Sequence, residues 1–215
     1  CLCGDTSLTH GQTATSPSSN RVIYSGDATD QSTLGSNDQF TLADIDYAKE
    51  LAKTTSPMIR PCMIDGKEMY VMVLHPYSVT DLRLDIANSA YTSWPEIQMW
   101  ANKRGESNPI FSGALGVYNN VILFESTRVY SPTTNVRRNL FLGAQAGVFA
   151  VGNAYDAIER SRVGKDNKMS WYEEIDDYGN EKGISVGCIF GINKSVFNSE
   201  DFGVIVVASY AASHS

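Results

Sequence analysis

The chain changes character at Phe40, where an almost unbroken polar run gives way to a helical period. Ile45, Ala48, Leu51 and Ala52 share one face at 3.6 residues per turn. Thr41 with Asp44 forms a capping box, and Phe40 is placed to staple onto Ile45. The spacing predicts a helix over 41–54, ended by Thr54-Thr55-Ser56-Pro57, with Asp46 and Lys49 on its polar side. Upstream, residues 1–40 are rich in Ser, Thr, Gly and Asp with one apolar run, Val22–Tyr24. That pattern predicts an extended arm or loop with one brief strand, packed on something other than itself.

Beyond the helix, Met58–Ile64 reads as an edge strand interrupted by Pro61, and Asp65-Gly66 as a hairpin turn into Glu68–Leu74, whose MYVMVL run is apolar on both faces. His75-Pro76 ends that strand and opens a short helix through Leu84, with proline at the first helical position. Ser93 and Glu96 form a second capping box for a helix that turns Ile97 and Trp100 to the core and closes at Gly105. Gly113 and Gly116 mark a bend. Val117-Tyr118, Asn119-Asn120 and Val121–Phe124 predict a two-residue hairpin, because asparagine tolerates the positive φ such turns require. Asn139–Leu142 reads as a brief strand and AQAGVFAV, residues 144–151, as a small-residue helix ended by Gly152, followed by a surface loop over 153–168. Trp171–Ile175, a turn at Asp177–Asn180, Ile184–Ile192 and Val204–Tyr210 then give an all-β ending. The last strand is expected to be central and the closing strands to help bury a core.

A hydrophobic content of 42% against 19% charged residues in 215 excludes a disordered chain. The formal net charge of −7, with no basic run, argues against a surface that grips nucleic acid. Cys1 and Cys3 form a C-x-C without a second pair, and Cys62 and Cys188 stand alone, so a zinc site is disfavoured and buried or free thiols in a reducing compartment are expected. No apolar run approaches the ~20 residues that cross a bilayer. A Ser/Thr-rich opening on Cys1 rather than Met reads like the middle of a longer chain.

Candidate chemistry is sparse. His75, the single histidine away from the chain ends, sits at a strand-to-helix junction that favours capping or packing over catalysis. Glu173, Glu174, Asp176 and Asp177 are dense enough to suggest a divalent cation, but strand alternation sends Glu173 and Glu174 to opposite faces, so a solvated strand is favoured. Ser112 lies outside any nucleophile-elbow motif, and no phosphate-binding glycine loop occurs. Arg137-Arg138 and Arg160 to Arg162 are short basic clusters that could contact a partner's acidic surface or phosphate, but against the acidic total ordinary solvated surface is favoured. No catalytic, cofactor-binding or metal-ligating residue is predicted, and no cofactor.

Four segments in order carry a specific resemblance: YVMVLHPYSVTDLR at Tyr70–Arg83, NPIFSGALGVYNNVILFES at Asn108–Ser126, LFLGAQAGVFA at Leu140–Ala150 and YGNEKGISVGCIFGINKSVFNSEDFGVIVVASYA at Tyr178–Ala211. Together they resemble the major capsid proteins typified by the N-four-like tailed phages, over nearly everything from Arg21 onward. The resemblance implies an α+β fold of the Hong Kong 97 type. It implies residues 1–40 as an arm or loop remnant, 41–68 with 169–215 as a peripheral domain whose spine helix is Thr41–Thr54, and 69–168 as an axial domain. Such proteins carry an arm and an extended loop ahead of the spine helix, so the chain is expected to lack its amino-terminal part. The implied function is a non-enzymatic shell protein of the virion, assembled in the host bacterial cytoplasm. Its expected partners are itself, in hexamers and pentamers, then portal, scaffolding or decoration proteins and packaged double-stranded DNA bound nonspecifically, with no membrane. The alternatives are an encapsulin-like compartment shell with protein cargo, and a hydrolase in which His75 meets an acid and a nucleophile.

Overall fold

A computed structural model describes residues 15–84, 114–152 and 169–214, together with Leu2. Helix α1 (Leu42–Thr54) begins at the expected capping box: the Thr41 backbone N–H donates to the Asp44 carboxylate at 2.8 Å. Ser25 Oγ donates to the same carboxylate oxygen at 3.0 Å, so the cap also ties down the chain before the helix. Phe40, Ile45, Ala48 and Ala52 are buried, with Leu51 packed at the edge of the same cluster. Burying each large apolar side chain contributes about 1.5–3 kcal/mol, which helix propensity alone does not supply.

That face packs on a seven-stranded mixed sheet ordered β1-β12-β6-β3-β5-β4, with β2 on the side of β3. Its strands are β1 (Val22–Tyr24), β2 (Cys62–Ile64), β3 (Lys67–Leu74), β4 (Ala114–Tyr118), β5 (Val121–Glu125), β6 (Val136–Leu142) and β12 (Val204–Tyr210). β1 runs parallel to β12 and β3 parallel to β5, and the other pairs are antiparallel. As expected, β12 is internal, with Val204–Ser209 all buried. Tyr70 and Phe141 stack at 4.9 Å between ring centroids, and Tyr70 Oη donates to the Ile59 carbonyl at 3.1 Å. Gly143 ends β6 because a Cβ there would overlap the Ile59 side chain and the Arg60 carbonyl.

Helix α2 (Pro76–Leu84) follows β3, as its proline predicts. The remaining strands are β7 (Gly147–Gly152), β8 (Met169–Asp176), β9 (Glu181–Lys194) and the short pair β10 (Val196–Phe197) and β11 (Glu200–Asp201). β7, β9 and β8 form a separate three-stranded sheet in that order. The contacts divide the chain into Cys1–Ala146 with Lys194–Ser215, and Gly147–Asn193. This partition does not follow the boundaries expected near 68 and 168: the first falls inside β3, and β3 and β12 share one sheet through β6.

Three expectations need correction. The stretch 144–151 is not a helix: Gly147–Gly152 is strand β7, since Val148, Phe149 and Val151 favour a pleated partner, supplied by β9, over a helical surface. The described part of the polar opening packs on its own chain. From Ser18 to Tyr24 it lies on its own chain, with Val22–Tyr24 paired to Val206–Ala208 and the Ser25 N–H donating to the Ala208 carbonyl at 3.0 Å. Ile184–Ile192 buries no core: Ile184, Val186, Ile189, Phe190 and Ile192 are all exposed. The expected Ser93–Gly105 helix, Gly113 and the 153–168 loop lie outside the described residues.

The Asn119-Asn120 hairpin is present, with φ of 44° and 61°. Its tip is clamped onto the polar side of α1. Asn119 Nδ2 donates to Asp46 Oδ1 at 2.8 Å, Tyr118 Oη donates to Asp46 Oδ2 at 3.0 Å, and Lys49 Nζ donates to the Asn119 carbonyl at 2.7 Å. Asn120→Gly is expected to leave the melting temperature unchanged or raise it. Asn120→Val, forcing a β-branched residue to positive φ, should cost about 1–2 kcal/mol. Equal melting temperatures for the two variants would contradict the turn's role.

Candidate functional site

His75 occupies the N-cap of α2. Its carbonyl accepts the Val79 N–H at 3.0 Å, and its Nδ1 accepts the Tyr77 N–H at 3.2 Å, satisfying a donor left free by the first turn. Its ring meets Tyr77 edge-on at 4.7 Å, and Arg137 lies over the Tyr77 ring, 5.5 Å from its centroid. Burial, and secondarily the Arg137 charge, lowers the His75 pKa below its ordinary value. The imidazole is therefore a neutral cap with one nitrogen committed to backbone, and the hydrolase alternative is dropped.

The lowered pKa fixes the sign of a pH effect. Above about 6.5, the ordinary histidine value, both folded and unfolded states carry neutral His75 and its contribution is complete. As pH falls toward the lower folded value, the unfolded chain takes up the proton first and stability is lost. His75→Asn, which keeps a capping acceptor without titrating, should abolish this component of the decline below pH 6.5 in urea unfolding. An unchanged pH slope would remove the assignment.

Beside this cap lies a buried polar junction that the sequence did not reveal. Asn139 on β6 accepts the His75 N–H through Oδ1 at 3.1 Å, and donates through Nδ2 to Ser78 Oγ at 3.2 Å and Ser209 Oγ at 3.1 Å. One side chain thus joins the end of β3, α2, β6 and β12. At the far end of α2, buried Asp81 contacts His214 Nε2 at 2.9 Å. Burial raises the Asp81 pKa, and His214 offsets part of that shift.

The other sequence candidates resolve into structural roles. Glu173, Glu174, Asp176 and Asp177 are exposed, as expected for a solvated strand, and among the described residues no His, Cys, Asp and Glu side chains gather in a set that could hold a metal. Arg137 is not simple surface: it donates to Ser131 Oγ and, at 3.0 Å, to the Thr134 carbonyl, stitching its own loop. Arg138 reaches Gln31 Oε1 at 2.5 Å and lies 5.8 Å from the Tyr130 centroid. Cys62 and Cys188 are free thiols, with Cys188 exposed. Cys1, Cys3, His10, Ser112, Arg160 and Arg162 lie outside the described residues.

A second buried group anchors the opening segment. Lys194 Nζ meets Asp201 Oδ1 at 2.6 Å with both side chains buried, and also donates to the Ser16 carbonyl at 2.6 Å. The Ser18 N–H donates to Asp201 Oδ2 at 3.0 Å, and the Asp201 N–H donates to Ser18 Oγ at 2.9 Å. Fully buried Arg21 donates to the Pro57 carbonyl. Desolvation lowers its pKa, while Glu200 and Asp201 counter the shift.

What the described residues offer is thus a scaffold in which His75, Asp81, Lys194 and Asp201 serve as caps and ties, with a broad apolar exposure on β7 and β9. A model of the family described as phage capsid protein matches residues 9–213. The chain belongs to the phage capsid protein family. Within that family it is similar to the major capsid protein of Pseudomonas phage KPP25, 31% identical over an alignment 222 residues long that covers 93% of this chain and 55% of that relative. It is also similar to the capsid of Ralstonia phage GP4, with a TM-score of 0.73 at 28% identity, covering 100% of this chain and 62% of that one. The Cyanophage Pam1 capsid, at 22% identity and a TM-score of 0.62 over 90% of this chain and 55% of that one, shares the fold. The α+β fold is that of phage capsid proteins, consistent with the Hong Kong 97 type. The chain spans a little over half the length of these relatives.

Proposed function

We propose that this capsid-family chain is part of a major capsid protein that self-assembles into the icosahedral head shell of a tailed double-stranded DNA phage. The supporting observation is the likeness to the GP4 capsid, which runs over the whole of this chain. The side chains agree with that role, because the buried titratable groups among the described residues, Asp81, Lys194 and Asp201, hold elements together. In this reading the subunits meet as hexamers and pentamers in the virion, after assembly in the bacterial cytoplasm. They contact portal, scaffolding or decoration proteins and touch packaged DNA without sequence preference. The protein acts as no enzyme. The peripheral and axial domain names, with the spine helix at α1, belong to the same proposal.

Electron microscopy of the full-length protein, expressed and purified from bacteria, tests it. Closed icosahedral particles are the expected result; a protein that stays monomeric across salt and concentration contradicts it. Particles that carry a co-purifying protein cargo, and that belong to no genome-filled head, would instead favour the encapsulin-like alternative.

A further inference from the structure

The side-chain pattern of β8 and β9 separates two unlike faces. Register pairs Glu173 with Ile184 and Ile175 with Lys182, so residues on these pairs share one side of the sheet. Alternation along β9 puts Ile184, Val186, Cys188 and Phe190 on that side. Phe149 of β7 joins them through its ring contact with Phe190, 6.0 Å between centroids. The opposite side of β9 carries Gly183, Ser185, Gly187 and Gly191, with Ile189 its one large apolar side chain. The apolar side is uncovered: Ile175 is 59% exposed, Ile184 57%, Val186 54%, Phe190 59% and Phe149 63%.

Charge divides the same way. The apolar face carries Glu173 and Lys182, which cancel, whereas the back face carries Glu174, Asp176 and Glu181 with no base. In a chain of net charge −7, a neutral apolar face is one that another copy can approach without net repulsion, while the acidic back stays in water. The half-exposed side chains amount to roughly 400–500 Å² of apolar surface, within the range of a monomer's largest, often functional, patch. That is also about half or more of the ~800 Å² each partner gives to a standard interface, so the face is sized for one contact among several. We propose that this face of the β7-β9-β8 sheet is a subunit interface whose occupant is a second copy of the same protein. The proposal rests on the shell reading above and names a surface that carries it.

Cys188, exposed near the middle of this face, reports on its coverage. The full-length protein would be labelled with a maleimide as dissociated subunits and as purified particles, and Cys188 modification read by peptide mass spectrometry against Cys62. Roughly tenfold or greater protection of Cys188 in particles built from this protein alone, with ready labelling in the subunit, is the expected result, because interface cores exclude water. Ile184→Ser with Phe190→Ser should also abolish particles while leaving circular dichroism and melting intact. Met58→Ser, equally exposed outside this sheet, should not. Four outcomes would overturn the proposal: equal labelling in both states, protection already present in the subunit, protection only when another protein is bound, or normal particles from the double variant. Failure of the wild-type protein to form any particle would overturn the shell reading, and this proposal with it.

Discussion

Asn139→Ala is expected to destabilise the chain by about 3 kcal/mol, a larger effect than any surface substitution. The reason is that the alanine leaves the part-buried His75 N–H without its acceptor and takes the donor from buried Ser78 and Ser209 together. Leaving a buried polar group unsatisfied costs about 1–3 kcal/mol. Asn139→Asp separates charge from geometry. The carboxylate accepts the same N–H and both serine hydroxyls, but it must ionise at a position closed to solvent, so its folded pKa will stand above the unfolded value near 3.9. A raised carboxylate pKa contributes stability below the unfolded pKa and loses it as pH rises. The Asp variant should therefore fall progressively behind the native chain as pH rises from about 4 toward neutrality, whereas the Ala deficit should stay flat. Urea unfolding at a series of pH values would show this. A loss under 1 kcal/mol for alanine would mean the junction is not what joins β6 to α2.

Where local pattern and tertiary demand coincide, the sequence was enough. Thr41 and Asp44, Pro76, Asn119-Asn120 and the unbroken VIVVAS run each have one energetically favoured use, and the structure uses them so. The helix expected over 144–151 failed because small residues suit close packing of either kind. What decided it was a partner strand about 40 residues onward, which local spacing does not encode. Asn139 was invisible for the same reason: its three partners come from distant segments, and a lone asparagine between Arg138 and Leu140 has no signature. The exposed face of β9 was legible. Ile184, Val186, Cys188 and Phe190 alternate with glycine or serine through Gly187, and β-propensity was read as burial when period-two patterning states only that one side is apolar. What covers that side is set by the assembly, for which the charge on the two faces, and not the period of β9 alone, is the guide.

The anchoring of residues 16–21 yields the second large effect. Asp201→Ala is expected to cost about 3–5 kcal/mol, because it leaves the buried Lys194 ammonium without its counter-charge and removes the acceptor of the Ser18 N–H. Lys194→Met should cost a similar amount by leaving Asp201 buried without its counter-charge. The double variant Lys194→Met with Asp201→Leu, which replaces the pair with apolar volume, is expected to recover most of the loss, since a buried ion pair is strongly destabilising to break and nearly neutral to replace whole. The recovery should be incomplete. Asp201 also holds Ser18, and Arg21 keeps its own charge beside Glu200. Denaturant unfolding of the two single variants and the double gives the coupling energy. Limited proteolysis gives the location, because Asp201→Ala should expose the chain before Val22 to trypsin at Arg21 while the buried β12 stays protected. Additive losses, with no recovery in the double variant, would show that the two charges are held separately and that the opening segment is fixed by its pairing with β12 alone.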